Sequence, residues 1–261
     1  MSAEPLLQLE GVALDGAEGR VFSEADLSVR AGERLALVGR NGSGKSSLLE
    51  CIVGLRRPAV GRVVAFGEAR TREQDFREVR RRVGLVFQDA DDQLFCPTVL
   101  DDVAFGPLNL GASTAAARET AQATLGQLGL EGLAERVTHH LSGGEKRLVA
   151  LASVLAMEPD VLLLDEPTND LDDDAYGRLM PLLEDLPQAL VLASHDQALI
   201  GRLAERAVVL TGGTLQEGVI HRHPHLHRHA HAHVHVAPPT EGDHHAAAEA
   251  LDDAGHGHTT L

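Results

Sequence analysis

The chain has 261 residues and a formal net charge of −16, from 39 acidic side chains against 23 basic ones. That length allows one large domain or a domain with an appendage, and the acidity excludes a general nucleic-acid binder, which needs surplus cations along a phosphate backbone. Apolar stretches such as Leu148–Met157 fall short of the roughly 20 residues that span a bilayer, residues 1–11 show no secretory pattern, and two isolated cysteines, Cys51 and Cys96, suit a reducing cytosol better than a disulfide framework or zinc cluster.

In chain order, the first stretch up to the phosphate loop and the Gly61–Gly67 region alternate apolar and polar residues, which predicts a small antiparallel sheet. Buried strands are expected at Leu35–Val38, Val83–Phe87, Val161–Leu164, Leu190–Ala193 and Ala207–Leu210. Helices are expected at Ser46–Leu55, Ala115–Leu128, Gly143–Met157 and Asp174–Leu183. Apolar strands alternating with helices imply a mainly parallel sheet covered on both faces, an α/β domain over residues 1–219. From residue 220 the composition turns to His, Ala, Pro and acidic residues, which predicts a flexible histidine-rich tail over 220–261.

Gly39-Arg40-Asn41-Gly42-Ser43-Gly44-Lys45-Ser46 follows a predicted strand and leads into a helix, satisfying G-x-x-x-x-G-K-[ST] in the required context. Its glycines let backbone N–H groups, including those around Ser43 and Ser47, converge on phosphates at a helix N-terminus. Lys45 is expected to reach the β- and γ-phosphates of ATP and Ser46 to ligate Mg²⁺. Lys45 is one of only two lysines among the 23 cations, which suits a site needing a compact ammonium. Val161–Leu164 ends in Asp165-Glu166, and ligands of open parallel sheets bind at the carboxyl ends of strands. Asp165 is therefore expected in the Mg²⁺ shell, and Glu166 as the base that orients and deprotonates the attacking water.

Leu141-Ser142-Gly143-Gly144-Glu145 opens an apolar helix, with Ser142 and Glu145 in capping-box spacing and two glycines keeping side chains clear of the N–H groups. With this second phosphate-binding element, the sequence resembles the ATP-binding cassette (ABC) ATPases, whose signature is LSGGQ, over residues 6–218. The resemblance implies a cassette fold: an N-terminal antiparallel β subdomain, a RecA-like parallel core and a helical signature subdomain. It also implies a dimer that sandwiches two ATP molecules, with Ser142, Gly143 and Gly144 of one protomer contacting the γ-phosphate held by the other. By position, Gln88 matches the glutamine that contacts Mg²⁺ and water and senses a transmembrane partner, Asp172 the dimer-contact loop, and His195 the histidine on the γ-phosphate. Two positions depart from the pattern: Glu145 replaces the signature glutamine, and the adenine-stacking aromatic is missing, with Leu14 or Gly16 in its place and Phe22 the only aromatic before the phosphate loop.

The run from Gln88 through Asp91-Asp92-Gln93-Leu94-Phe95-Cys96-Pro97-Thr98-Val99 to Asp102-Val103-Ala104-Phe105-Gly106-Pro107-Leu108-Asn109 resembles the cobalt/nickel and energy-coupling-factor branch of that family. The branch implies that the loop meets a membrane subunit, with Leu94 and Phe95 as anchors. Twelve of the fifteen histidines lie after residue 220, and His221, His223, His225, His227, His229, His231, His233 and His235 occupy every second position. Neutral imidazole is a favoured ligand for Ni²⁺, Co²⁺, Zn²⁺ and Cu²⁺. The sequence therefore predicts a peripheral ATPase subunit on the cytoplasmic face of the membrane, acting as a homodimer or with a related cassette, that energises nickel or cobalt import through integral-membrane subunits. Its histidine tail is expected to bind Ni²⁺ or Co²⁺. A vitamin importer of the energy-coupling-factor type and a nickel storage or metallochaperone protein are the alternatives.

Overall fold

The computed structural model describes residues 4–17, 19–224 and 230–235. An antiparallel sheet at the start is built from β1 (Leu7–Gly16), β2 (Gly19–Val29), β4 (Val60–Ala65) and β5 (Glu68–Arg70), ordered β5-β4-β1-β2. The parallel core is ordered β9-β3-β8-β7-β6, from β3 (Arg34–Val38), β6 (Val83–Val86), β7 (Val161–Asp165), β8 (Ala189–Ala193) and β9 (Arg206–Thr211). β10 (Thr214–Pro224) joins the two, antiparallel to β9 and touching β2 at Thr214 and Glu24.

The helices are α1 (Lys45–Ile52), α2 (Glu73–Arg82), α3 (Val99–Asn109), α4 (Thr114–Gln127), α5 (Gly143–Leu155), α6 (Asp173–Asp185) and α7 (Gln197–Leu203). None is long and apolar enough to cross a membrane among the described residues. The two-residue period of β7 explains why the parallel strands read as unbroken apolar runs. Val161 and Leu163 enter one core cluster with α1, α2 and the antiparallel sheet, whereas Leu162 and Leu164 enter another with α3 to α6. Each fully buried Leu contributes about 1.5–3 kcal/mol relative to exposure, so both faces hold the strand ends in place. α2 has little apolar patterning: only Phe76 and Val79 are buried, and its last turn carries Arg80, Arg81 and Arg82. Gly54 is where Phe76 seats, since a Cβ there would lie 2.2 Å from its ring.

The expected strand and helix positions are borne out to within a few residues, as is the antiparallel sheet. The expected boundary at 219/220 falls inside β10, which continues to Pro224 and pairs with β11 (Ala230–His235). Here apolar or small residues alternate with histidine at the period of a strand, a pattern that supports pairing as well as a solvated tail. His225, His227 and His229, together with residues 236–261, lie outside the described residues.

Candidate functional site

β3 ends in the phosphate loop, and its turn needs glycine. Gly42 and Gly44 have φ of +77° and +105°, values costly for side chains with a Cβ. A Cβ on Gly39 would lie 2.6 Å from Ser43 Oγ and 2.8 Å from Leu210 O. Gly44 is the N-cap of α1 without a capping side chain, so the first N–H groups of that helix stay open to an anion. Beside it, β7 delivers Asp165 and Glu166. Glu166 sits at φ +44°, its N–H donating to Ala193 O at 2.7 Å. Together Asn41, Gly42, Gly44, Lys45, Ser46, Ser47, Gln88, Asp165 and Glu166 line a cleft of about 390 Å³. An adjoining cleft of about 460 Å³ shares Ser46, Gln88 and Asp165 and reaches Gly143.

The buried centre of this cleft is a charge cluster. Lys45 Nζ donates to Gly39 O at 3.0 Å and lies 3.2 Å from Glu166 Oε1. Both side chains are about 95% enclosed, at 6% and 5% exposure. On the other carboxylate oxygen, His195 Nδ1 and His195 N–H stand at 2.9 and 3.3 Å from Glu166 Oε2. Facing a carboxylate, the ring nitrogen Nδ1 is the one that carries the proton. Burial pushes the Asp165 carboxyl above its usual range, partly offset by a hydrogen bond from Ser46. Asp165 Oδ1 and Ser43 Oγ are buried without a hydrogen-bond partner. An orphaned carboxylate oxygen next to a serine hydroxyl, with Gln88 on the same wall, suits a hard cation with oxygen ligands such as Mg²⁺.

Ser142 caps α5 through the expected box: Glu145 N–H donates to Ser142 Oγ at 3.2 Å and Ser142 N–H to Glu145 Oε2 at 2.8 Å. The glutamate at the end of the signature thus does capping work and is held in turn by Arg136. The two glycines differ. A Cβ on Gly144 would lie 2.5 Å from Ala175 Cβ, whereas one on Gly143 meets nothing within 4 Å. Gly144 allows α5 and α6 to touch, and Gly143 leaves an open surface. Asp172 caps α6, accepting from Ala175 N–H at 2.7 Å.

Three residues escaped the sequence reading. Arg147, on the apolar face of α5, is 7% exposed and donates to the carbonyls of Phe87, Gln88 and Asn169. One guanidinium therefore ties the signature helix to the Gln88 turn and to the turn after Glu166. Burial draws its pKa down, and Asp170, Asp89 and Asp165 counter that. Gln93 performs a similar staple, donating to Ala150 O at 2.7 Å and accepting from Phe87 N–H at 3.2 Å. Val21 lines the phosphate-loop cleft, packed over Gly44 and Gly16, while Phe22 is fully buried beneath. The missing aromatic is the signal that pointed to this wall, and an aliphatic side chain occupies it.

The acidic run after Gln88 is an ordered connector. Asp89 accepts from Asp91 N–H, Asp91 pairs with Lys146 at 2.6 Å, and Asp102 accepts from the N–H groups of Phe95 and Cys96. Leu94 is 4% exposed and belongs to the core, which corrects its expected role as an interface anchor. Phe95 is 62% exposed, its ring meeting Phe105 edge-on at 4.7 Å. The pair stands in a largely apolar groove of about 650 Å³ with Leu55, Leu110 and Met157, rimmed by Arg77, Arg80 and Arg81.

The family model described as ABC transporter matches residues 22–169. The cobalt import ATP-binding protein CbiO of Rhodobacter capsulatus is 47% identical over 220 residues, covering 82% of this chain and 79% of that protein. The nickel import ATP-binding protein NikO of the same organism is 44% identical over 220 residues, covering 80% and 87%. Among solved structures, cbiO1 from Clostridium perfringens, described as part of the ABC transporter complex cbiONQ, superposes with a TM-score of 0.72 at 32% identity, covering 82% of this chain and 87% of that one. The fold, the phosphate loop, the capped signature helix and these relatives agree: the chain belongs to the ABC transporter family, as an ATP-hydrolysing subunit.

Proposed function

We propose that the chain energises import of a transition-metal ion, nickel or cobalt, from the cytoplasmic face of the membrane, as one half of a dimer beneath separate integral-membrane subunits. The observation that carries this reading is the connector from Gln88 to Phe105. It ties a wall of the nucleotide cleft to an exposed aromatic pair in an apolar groove, in a chain that goes on to twelve histidines. The relatives named for cobalt and nickel import support the same cargo.

At the cleft, the N–H groups of the phosphate loop and Lys45 receive the ATP phosphates. Ser46, Asp165 and Gln88 are the residues that would hold Mg²⁺, which supplies charge neutralisation at the β- and γ-phosphates when bound. Lys45 leaves its ion pair with Glu166 to meet phosphate, and that exchange frees a carboxylate oxygen. Glu166 then orients and deprotonates the attacking water, an effect worth about 10²–10⁴-fold in rate. His195 moves from Glu166 to the γ-phosphate. Ser142, Gly143 and Gly144 close on the γ-phosphate of the partner protomer, with Asp172 at the same contact. The histidine segment binds Ni²⁺ or Co²⁺.

The test is ATP-dependent uptake of radiolabelled nickel and cobalt by proteoliposomes that contain this chain and its membrane subunits. Saturable uptake of either ion is the expected result. Uptake of a vitamin with neither metal would favour the energy-coupling-factor alternative, and metal delivery to an apo-enzyme without membrane subunits would favour a metallochaperone.

A further inference from the structure

After Val219, histidine alternates with other residues at the two-residue period of a β-strand, and the backbone uses that period. β10 and β11 run antiparallel with His221 opposite His233, His223 opposite His231 and His235 opposite Val219. The intervening positions pair Ile220 with Val234, Arg222 with Ala232 and Pro224 with Ala230. Successive residues of a strand alternate between faces, so the register sorts this ribbon into one face of histidine positions and one of mostly small or apolar positions.

The register is anchored from the second face. Ile220 packs against the cluster of Ala36, Ile200, Ala204 and Ala207, and β11 lies against α7. A slip of one residue would exchange the faces, placing histidine toward α7 and valine away from it, which the burial of Ile220 disfavours.

We propose that His221, His223, His231 and His233 form a four-imidazole site for one divalent late-transition-metal ion on this ribbon. The proposal rests on the reading that the histidine segment binds nickel or cobalt, and it replaces free choice among twelve histidines with four selected by register. Directly opposed residues of an antiparallel pair have Cβ atoms about 5 Å apart. Neighbouring rungs are about 7 Å apart along the strand, two residues at about 3.4 Å each. Four imidazoles rooted on that rectangle converge above its centre with metal–nitrogen distances of about 2.0–2.1 Å. No preformed group of three or more His, Cys, Asp or Glu is present among the described residues; the register supplies backbone placement, and rotamer choice closes the set.

Calorimetric titration of the full chain with NiCl₂, and separately CoCl₂, near pH 7.5 tests the site. H221A/H233A removes one rung, and H244A/H245A removes the same number of histidines from elsewhere. The expected result is loss of the tightest site, by about tenfold or more in affinity, in the first variant and unchanged affinity in the second. H231A/A232H keeps the histidine count but moves one ligand to the other face, and it should weaken the site as the rung variant does. That comparison holds even if the rung variant folds poorly. Equal losses in H221A/H233A and H244A/H245A, or full affinity in H231A/A232H, would overturn the register-selected site while leaving metal binding by the segment intact. No binding of either ion to the full chain would overturn both.

Discussion

Replacing Arg147 with methionine keeps an unbranched side chain in the α5 packing but removes every donor. Arg147 reaches the Phe87 and Asn169 carbonyls at 3.1 and 3.4 Å, as well as that of Gln88. Hydrogen bonds from a charged donor are each worth about 1.5–3 kcal/mol, which sets a ceiling of about 5–9 kcal/mol for three. The net loss is smaller, because methionine avoids the cost of burying a guanidinium. The Gln88 and Asn169 turns also border an open cleft where water can replace lost donors. We expect a net cost of about 2–4 kcal/mol, or roughly 4–16 °C in melting temperature for a domain of this size. ATP hydrolysis should fall further than stability explains, since Gln88 and Asn169 flank the cleft. Thermal unfolding with steady-state ATPase, alongside R147K, checks this: lysine offers one point donor and should recover only part of each loss. An unchanged melting temperature and rate for R147M would refute the argument that this guanidinium holds three segments together.

The signature glycines should separate by role. G144A must push Ala175 away, at about 1–3 kcal/mol of overpacking, whereas G143A should leave stability unchanged in a urea titration yet lower ATPase activity; the reverse pattern would contradict the assignment. With Val21 as the cleft's only wall residue from β2, and base–aromatic stacking worth about 1–3 kcal/mol, ATP and GTP should compete for binding with similar affinity, and strict ATP preference would count against it. Burial raises the Asp102 carboxyl above its usual range. Its native pKa therefore exceeds the unfolded value of about 3.9, so wild-type stability from this group declines as pH rises through that window. D102N keeps the acceptor for Phe95 and Cys96 N–H, so its stability relative to wild type should grow from pH 4 toward pH 7; a relative loss over that range would contradict the burial argument.

Much of this architecture was legible because the parallel strands are buried on both faces and the phosphate loop must use glycine where φ is positive. Leu162 and Leu164 serve one layer and Val161 and Leu163 the other, so β7 reads as an uninterrupted apolar run ending in two carboxylates. α2 was illegible for the opposite reason: it buries only Phe76 and Val79 and otherwise presents charge. Arg147 was missed because an arginine in an apolar helix reads as a snorkelling surface residue, and its three carbonyl partners come from two distant turns. Leu94 and Phe95 are adjacent and chemically alike, yet one is core and the other exposed; a short 3₁₀ turn over Ala90–Asp92 decides which way each faces. The Lys45–Glu166 pair joins residues 121 positions apart, which only the β3-β8-β7 order brings together.

The most direct test of the account is Glu166→Gln. The amide preserves the size of the carboxylate facing Lys45 and His195 but gives up its basicity. Equilibrium ATP binding and single-turnover hydrolysis should be measured on the same preparation. The account predicts retained ATP binding with hydrolysis reduced by about 10²-fold or more. Normal turnover in this variant would remove Glu166 from the reaction and with it the proposed chemistry of the cleft.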